Sequence, residues 1–248
     1  MASRDMHMGK ARVLAARFAA AVSELVSPTR CVGCDALGSL LCPSCERSLP
    51  FVDRKEACPR CGAPGGRLVC TECQHVLEQG GFPFSAARCA GSFDGVFARL
   101  VTTYKDGGER DLAPVLARLL AIAAGQDWRM WADAVTFVPA RPEAYRRRGF
   151  DHMELVASHL ASRLRLPLAD VLVCGRRRDQ RGLSAVGRAA NMRDAFSPVE
   201  EACEQVRGQR LLLADDVFTT GSTLAAATEV LLAAGAREVR VIVLCRVW

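Results

Sequence analysis

Leu211-Leu212-Leu213, running on into Ala214, is an apolar stretch without polar interruption and reads as a buried strand over Arg210 to Ala214. Shorter runs of the same kind occur near Arg88 to Phe93, at Ala134 to Val138 and at Val171 to Val173. Val239 to Leu244 forms a late one. Pro139 and Pro142 stop the second of these. Between the strands the apolar positions change period. Leu155, Val156, Leu160 and Leu164 recur at helical spacing and predict a helix from about Asp151 to Leu164. Gly95 toward Tyr104, Leu112 to Ala124 and Leu224 to Ala234 read as further helices. Strands alternating with helices predict a parallel α/β sheet whose ligands lie at the carboxyl ends of the strands. Lys10 to Val26 reads as an amphipathic helix, Gln79 to Pro83 as a linker and Lys105 to Arg110 as a polar turn. Arg176 to Arg193 has no sustained apolar period and reads as a long loop.

At 248 residues the chain can build one full-size core and a small accessory module. Half of it is hydrophobic and 24% is charged, which is ordinary for a soluble globular protein. No uninterrupted apolar run is long enough for a membrane span, and the cytoplasm is the expected compartment. The net charge of +6 is carried mostly by arginine, a mild pointer to phosphate or nucleic-acid ligands.

The cysteines change the picture more. Of the 12, eight fall in four Cys-x-x-Cys turns: Cys31/Cys34, Cys42/Cys45, Cys58/Cys61 and Cys70/Cys73. Each turn can aim two thiolates at one metal, and two turns complete a tetrahedral sulfur site. The segment is rich in Gly and Pro and poor in large apolar residues, so ligation would replace missing burial. A disulfide framework needs an oxidising compartment, which no export signal suggests. Four redox pairs would be redundant. Two structural zinc ions are therefore expected. The simplest pairing is sequential; a crossed pairing satisfies the same count. Closed four-sulfur sites leave no open position for substrate. Cys89, Cys174, Cys203 and Cys245 read as small buried hydrophobes.

The triple leucine leads into Asp215-Asp216-Val217-Phe218-Thr219-Thr220-Gly221-Ser222-Thr223 and then a helix. Backbone N–H groups at a helix start are unsatisfied and the macrodipole is positive there, so strand, short loop and helix make an anion site. The hydroxyls of Thr219, Thr220, Ser222 and Thr223 add donors, and Gly221 permits close approach. Carboxylates beside an anion pocket suit sugar hydroxyls or a hydrated cation. Phosphate, sugar diol and divalent metal together describe a ribose phosphate. Pro139-Ala140-Arg141 at a strand end can offer N–H groups and a guanidinium to a diphosphate. Arg146, Arg147 and Arg148 are read as preceding the Asp151 helix. Arg146 and Arg148 are candidates for phosphate or nucleic-acid contact, with a solvated basic face as the other reading.

LLLADDVFTTGST resembles the phosphoribosyl pyrophosphate (PRPP) signature of type I phosphoribosyltransferases. By position it implies that Asp215 and Asp216 hold the ribose 2′- and 3′-hydroxyls and that Thr219 to Thr223 cradle the 5′-phosphate. A double zinc-ribbon start joined to such a domain is similar to the ComF/ComFC family of competence-associated phosphoribosyltransferase-like proteins. The block Val138-Pro139-Ala140 with Arg146 to His152 matches that family's V-P-x and R-x-R-G-F-N-Q pattern, with Asp151-His152 standing where Asn-Gln is usual. Gln180-x-x-Leu183, Arg188-x-x-Asn191 and Ala195-Phe196 match a further block. The resemblance covers nearly the whole chain after the first 30 residues and implies a double zinc-ribbon module over 30–78 and a phosphoribosyltransferase-like domain over 85–248, preceded by the amphipathic helix assigned to 1–29. It further implies Mg²⁺ with PRPP, and a closing hood from Arg176 to Arg193. Arg188 and Asn191 are the candidate catalytic contacts to the leaving pyrophosphate or the acceptor. The same resemblance raises a second reading, a single-stranded-DNA grip or a scaffold for a helicase-like partner, with Phe51, Phe82 and Phe84 as the nearest aromatic platforms.

Overall fold

The computed structural model describes residues 28–175 and 195–248. The predicted helix Lys10 to Val26 and the loop Arg176 to Arg193, with Arg188 and Asn191, lie outside the described residues. The chain divides into two compact units, residues 1–48 and 49–248.

In the first unit, the bridge Arg30↔Leu37 closes the turn carrying Cys31 and Cys34. Helix α1 (Pro43–Arg47) follows, capped by Cys42, whose sulfur accepts the Cys45 N–H.

The second unit holds α2 (Thr71–Glu78), β1 (Ala86–Ser92), α3 (Gly95–Lys105), α4 (Ala113–Trp131) and β2 (Ala134–Phe137). After these come α5 (Pro142–Arg148), α6 (His152–Leu164), β3 (Leu172–Cys174), β4 (Phe196–Pro198) and α7 (Cys203–Val206). The last elements are β5 (Arg210–Phe218), α8 (Ser222–Ala233) and β6 (Glu238–Arg246). β1, β6, β5 and β2 form a four-stranded, wholly parallel sheet in that order. Both faces are covered, which is why Leu211 to Asp216 are all buried and the central strands read as continuous apolar runs. Leu211, Leu213, Val239, Val241 and Val243 share one core with Leu224, Ala227 and Leu231 of α8. The alternate positions, Leu212, Ala214, Ile242 and Leu244, point to the opposite face, where α4 and α6 pack against the sheet and each other.

Both sheet edges are covered by irregular chain. Beside β1, Ala87 N–H donates to the Arg60 carbonyl (2.9 Å) and Val52 N–H to the Ala90 carbonyl (2.9 Å). Beside β2, Val135 N–H donates to the Pro167 carbonyl (2.9 Å) and Ala169 N–H to the Val135 carbonyl (2.8 Å).

The structure corrects several expectations. Arg146, Arg147 and Arg148 do precede α6, but they also form the last turn of an unexpected helix, α5, which Pro142 opens and left-handed Gly149 closes. A seven-residue helix with basic residues at its C-terminal end matches the macrodipole, a pattern hidden behind the prolines. The strand of the triple leucine runs four residues further, to Phe218, so both acids lie inside it. α4 continues to Trp131 past a break at Gly125 (φ 68°, ψ 177°). β4, which pairs antiparallel with β3, was not anticipated: three residues ending in proline carry no periodicity.

Candidate ligand cleft and cysteine centres

The carboxyl ends of β2 and β5 open into a cleft of about 420 Å³. Among the sequence candidates, Pro139, Ala140, Arg141, Arg148, Asp215, Asp216, Thr219 and Thr223 line it. Thr220, Gly221 and Ser222 belong to the same loop but not to the wall of the cleft. Arg146 lines a neighbouring groove with Asp151, Glu154 and Asp170, and pairs with Glu143 at 3.4 Å.

The loop geometry follows from its residues. Gly221 is the N-cap of α8 with φ 79°, and a Cβ there would fall 2.7 Å from the Phe218 ring and 2.8 Å from the Phe82 ring. No side chain caps the first N–H groups of α8, although Thr220 Oγ1 lies 3.4 Å from the Ser222 N–H and 2.9 Å from Ser222 Oγ. The start of α8 thus has N–H donors and a positive dipole end for an anion.

Lys105 and His152 also line the cleft, although neither was a candidate. Lys105, at the end of α3 and not in a turn, places Nζ 2.5 Å from Asp216 Oδ2. His152, the first residue of α6, places Nε2 3.2 Å from the same oxygen. Arg148 Nη1 lies 3.4 Å from His152 Nδ1. His152 Nδ1 also lies 3.8 Å from Asp151 Oδ1, so the ring sits between two carboxylates and one guanidinium. Arg148 also reaches Asp106 at 3.7 Å, and its Nε is buried with no partner among the described residues. Asp151, the other unusual residue of that block, caps α6 by accepting the Met153 and Glu154 N–H groups (2.9 and 3.2 Å) and binds the Ala140 N–H at 2.6 Å. An acid before a helix is a legible cap; nothing local reveals the tie to Ala140.

The adjacent acids are driven apart in acidity. Burial, then the charge of Asp216, pushes Asp215 well above the usual carboxylate range. Burial pushes Asp216 up as well, but the His152 hydrogen bond and the Lys105 ammonium outweigh it and hold that carboxyl below the usual range. The pair therefore tends toward one negative charge, already faced by one ammonium. Among the described residues, only the cysteine sets gather three or more His, Cys, Asp or Glu ligand groups around a common point.

Those sets pair sequentially, Cys31/Cys34/Cys42/Cys45 and Cys58/Cys61/Cys70/Cys73, with all ligand atoms within 4.8 Å of one another. Sulfur–metal bonds of about 2.3 Å in a tetrahedron require sulfur–sulfur edges of about 3.8 Å. The cross-turn distances Cys34–Cys42 and Cys61–Cys70 are 3.7 and 3.6 Å. Backbone N–H groups of Cys42 and Cys70 point at Cys31 and Cys58 sulfurs (3.3 and 3.4 Å), the arrangement thiolates favour. Each set fits a zinc ion. Cys58, Cys61 and Cys73 are themselves buried in the core shared by Phe84, Cys89 and α8. In the first set, a Cβ on Gly33 would meet Cys45 Sγ at 2.6 Å. Gly33→Ala is expected to displace Cys45 and lower bound zinc from two to about one per chain, read by metal analysis of the purified variant.

Phe82 stacks on Phe84 (4.7 Å between centroids), both meet Phe218 edge-on, and Phe51 packs edge-on against Phe97 (5.6 Å). The three aromatics proposed as base platforms are thus engaged in packing, and Phe84 is fully buried.

The phosphoribosyl transferase domain family matches residues 154–247, from within α6 to the end of β6. DNA utilization protein YhgH of Salmonella typhi is 30% identical over 214 residues, covering 83% of this chain and 90% of that protein. Competence protein F of Haemophilus influenzae is 28% identical over 226 residues (86% and 94%). Competence protein ComFC of Streptococcus pneumoniae is 24% identical over 209 residues (84% and 88%). These alignments extend well beyond the matched domain, and the chain carries a parallel-sheet phosphoribosyltransferase fold together with two four-cysteine sets suited to zinc ribbons. The chain belongs to the ComF/ComFC family of competence-associated phosphoribosyltransferase-like proteins.

Proposed function

We propose that the chain binds PRPP, or another ribose 5-phosphate ligand, in the β2–β5 cleft and serves DNA uptake and recombination as a phosphoribosyltransferase-type protein. One observation carries this reading: the acid pair and the loop before α8 face Pro139-Ala140-Arg141 across a single cleft. Asp215 and Asp216 would accept the ribose hydroxyls, and Thr219 to Thr223 would surround the 5′-phosphate. Arg141 would meet the diphosphate, Ala140 lining the cleft with its N–H already held by Asp151, and a phosphate oxygen would satisfy the orphan Nε of Arg148. Arg188 and Asn191 remain the candidates for the leaving group or acceptor. Mg²⁺ would arrive on the diphosphate and neutralise its charge, because Lys105 already faces Asp216. In a transfer reaction the chain's part would be to position the ribose and stabilise charge. The domain divisions proposed at 30–78 and 85–248 belong to this reading.

The second reading is a single-stranded-DNA-binding or scaffold role with a helicase-like partner and a sensing or vestigial pocket; the relatives' names support it only as far as DNA utilization and competence. Packing of Phe51, Phe82 and Phe84 weakens it as a base-stacking surface. Calorimetric titration separates these. PRPP with Mg²⁺ should bind at least about tenfold tighter than inorganic phosphate, and absence of PRPP binding overturns the primary reading. Pyrophosphate release across a panel of bases and nucleic acids would establish turnover; binding without release supports sensing.

A further inference from the structure

Arg246, the last residue of β6, is a cation 3% exposed to solvent. Its guanidinium pairs with Glu72 and donates to the Thr219 carbonyl at 3.4 Å. It lies 4.3 Å from the Phe218 ring centre. Its Nε has no partner among the described residues. Glu72 stands between Cys70 and Cys73 on α2, the helix that carries half of the second sulfur set. Thr219 is the first residue of the phosphate loop and lines the cleft. A second, apolar connection runs beside this one. Phe82, just beyond α2, meets Phe218 edge-on at 5.8 Å, and together the two rings fill the space a Gly221 side chain would need.

A buried guanidinium needs counter-charge. Glu72 is 64% exposed and supplies only part of it. A divalent ion held by four thiolates has a net formal charge of about −2, so a filled second set makes this corner of the core favourable for Arg246. Without the ion, the turn carrying Glu72 loses the metal bonds that would tie Cys70 and Cys73 to Cys58 and Cys61.

We propose that Glu72 and Arg246 are positioning residues that couple the second cysteine centre to the phosphate loop, so that a filled metal site holds Thr219 and the start of α8 ready for a sugar phosphate. The coupling rests on the functional reading above. It is reciprocal: the ligand tightens the metal by the same factor that the metal tightens the ligand.

The test uses the full chain with both zinc ions bound and follows their release to a chelator. Saturating PRPP should slow release of one ion about tenfold and leave the other unchanged. Cys34→Ser, which lacks the first centre, should retain only the protected ion. Glu72→Gln should keep both ions and its thermal transition, bind PRPP more weakly, and lose most of the protection at saturating PRPP. Glu72→Asp should restore part of it. Full protection in Glu72→Gln would show that ligand merely stabilises the whole unit, and would overturn the coupling. PRPP binding to the unaltered chain without protection of either ion would also overturn it while leaving the functional reading intact. Failure of PRPP to bind at all would remove both.

Discussion

Asp215→Asn is expected to stabilise the protein at neutral pH while weakening sugar-phosphate binding, whereas Asp216→Asn should lower both. The opposite signs follow from the opposite environments of neighbouring carboxyls. The folded state raises the Asp215 pKa above its unfolded value of about 3.9, so it binds that proton more tightly. The resulting stability is present below the unfolded value and is lost as pH rises through the folded one. An amide of the same shape carries no such loss, and the unfolding midpoint at pH 7 should rise. For Asp216 the folded value is depressed, so its contribution is present above the unfolded value and disappears as pH falls through the folded one. Asn at 216 would leave Lys105 and the buried His152 without their anion. Breaking such a pair costs about 1–3 kcal/mol, discounted because Lys105 is about a third exposed. For the ligand, each lost carboxyl partner of a ribose hydroxyl should weaken binding about 10- to 100-fold. Denaturant midpoints between pH 5 and 8, with calorimetry on the same variants, check both arms. An Asp215→Asn variant less stable than the parent at pH 7 would show an ionised, paired Asp215 and defeat this account.

Loss of the second zinc should be far more damaging than loss of the first. Cys58, Cys61 and Cys73 are packed among Phe84, Cys89 and Leu224, so that set is part of the sheet's own core. Ligation in small zinc modules contributes about 10–16 kcal/mol, comparable with the whole stability of a domain, about 5–15 kcal/mol. Cys73→Ser is expected to lower the unfolding temperature of the sheet-bearing unit by more than about 10 °C or to abolish its cooperative transition. The first set lies in residues 1–48, a separate compact unit. Cys34→Ser should therefore move the main transition by less than about 2 °C. Thermal melts followed by circular dichroism decide this, and equal losses in the two variants would contradict the division of labour.

What could be read from the residues was whatever is written locally. A triple leucine ahead of paired acids, hydroxyls and Gly221 announces strand, loop and helix start within a dozen positions, and β5 with α8 follows that plan. Four Cys-x-x-Cys turns announce their chemistry by spacing alone, although sequential pairing needed coordinates. What could not be read depends on contacts between distant positions. Lys105 looks like the start of a polar turn until the fold brings it to Asp216, 111 positions away. His152 looks like an odd residue in a familiar block until it meets the same carboxylate. The second sulfur set looks like part of an accessory module because apolar content, not packing, was the visible clue. Its burial comes from β1, Phe84 and α8, none of which its own composition indicates.

The covering of β1 by Arg60 and Val52 has a consequence for handling the protein. Those two hydrogen bonds occupy backbone groups on the outer side of a strand that would otherwise be an open template for another chain. Arg60 lies between Cys58 and Cys61, so an ion bound by the second set would fix that turn and help mask the strand against self-association. A preparation stripped of metal should therefore show turbidity that grows with protein concentration, and resupplying zinc early should prevent it.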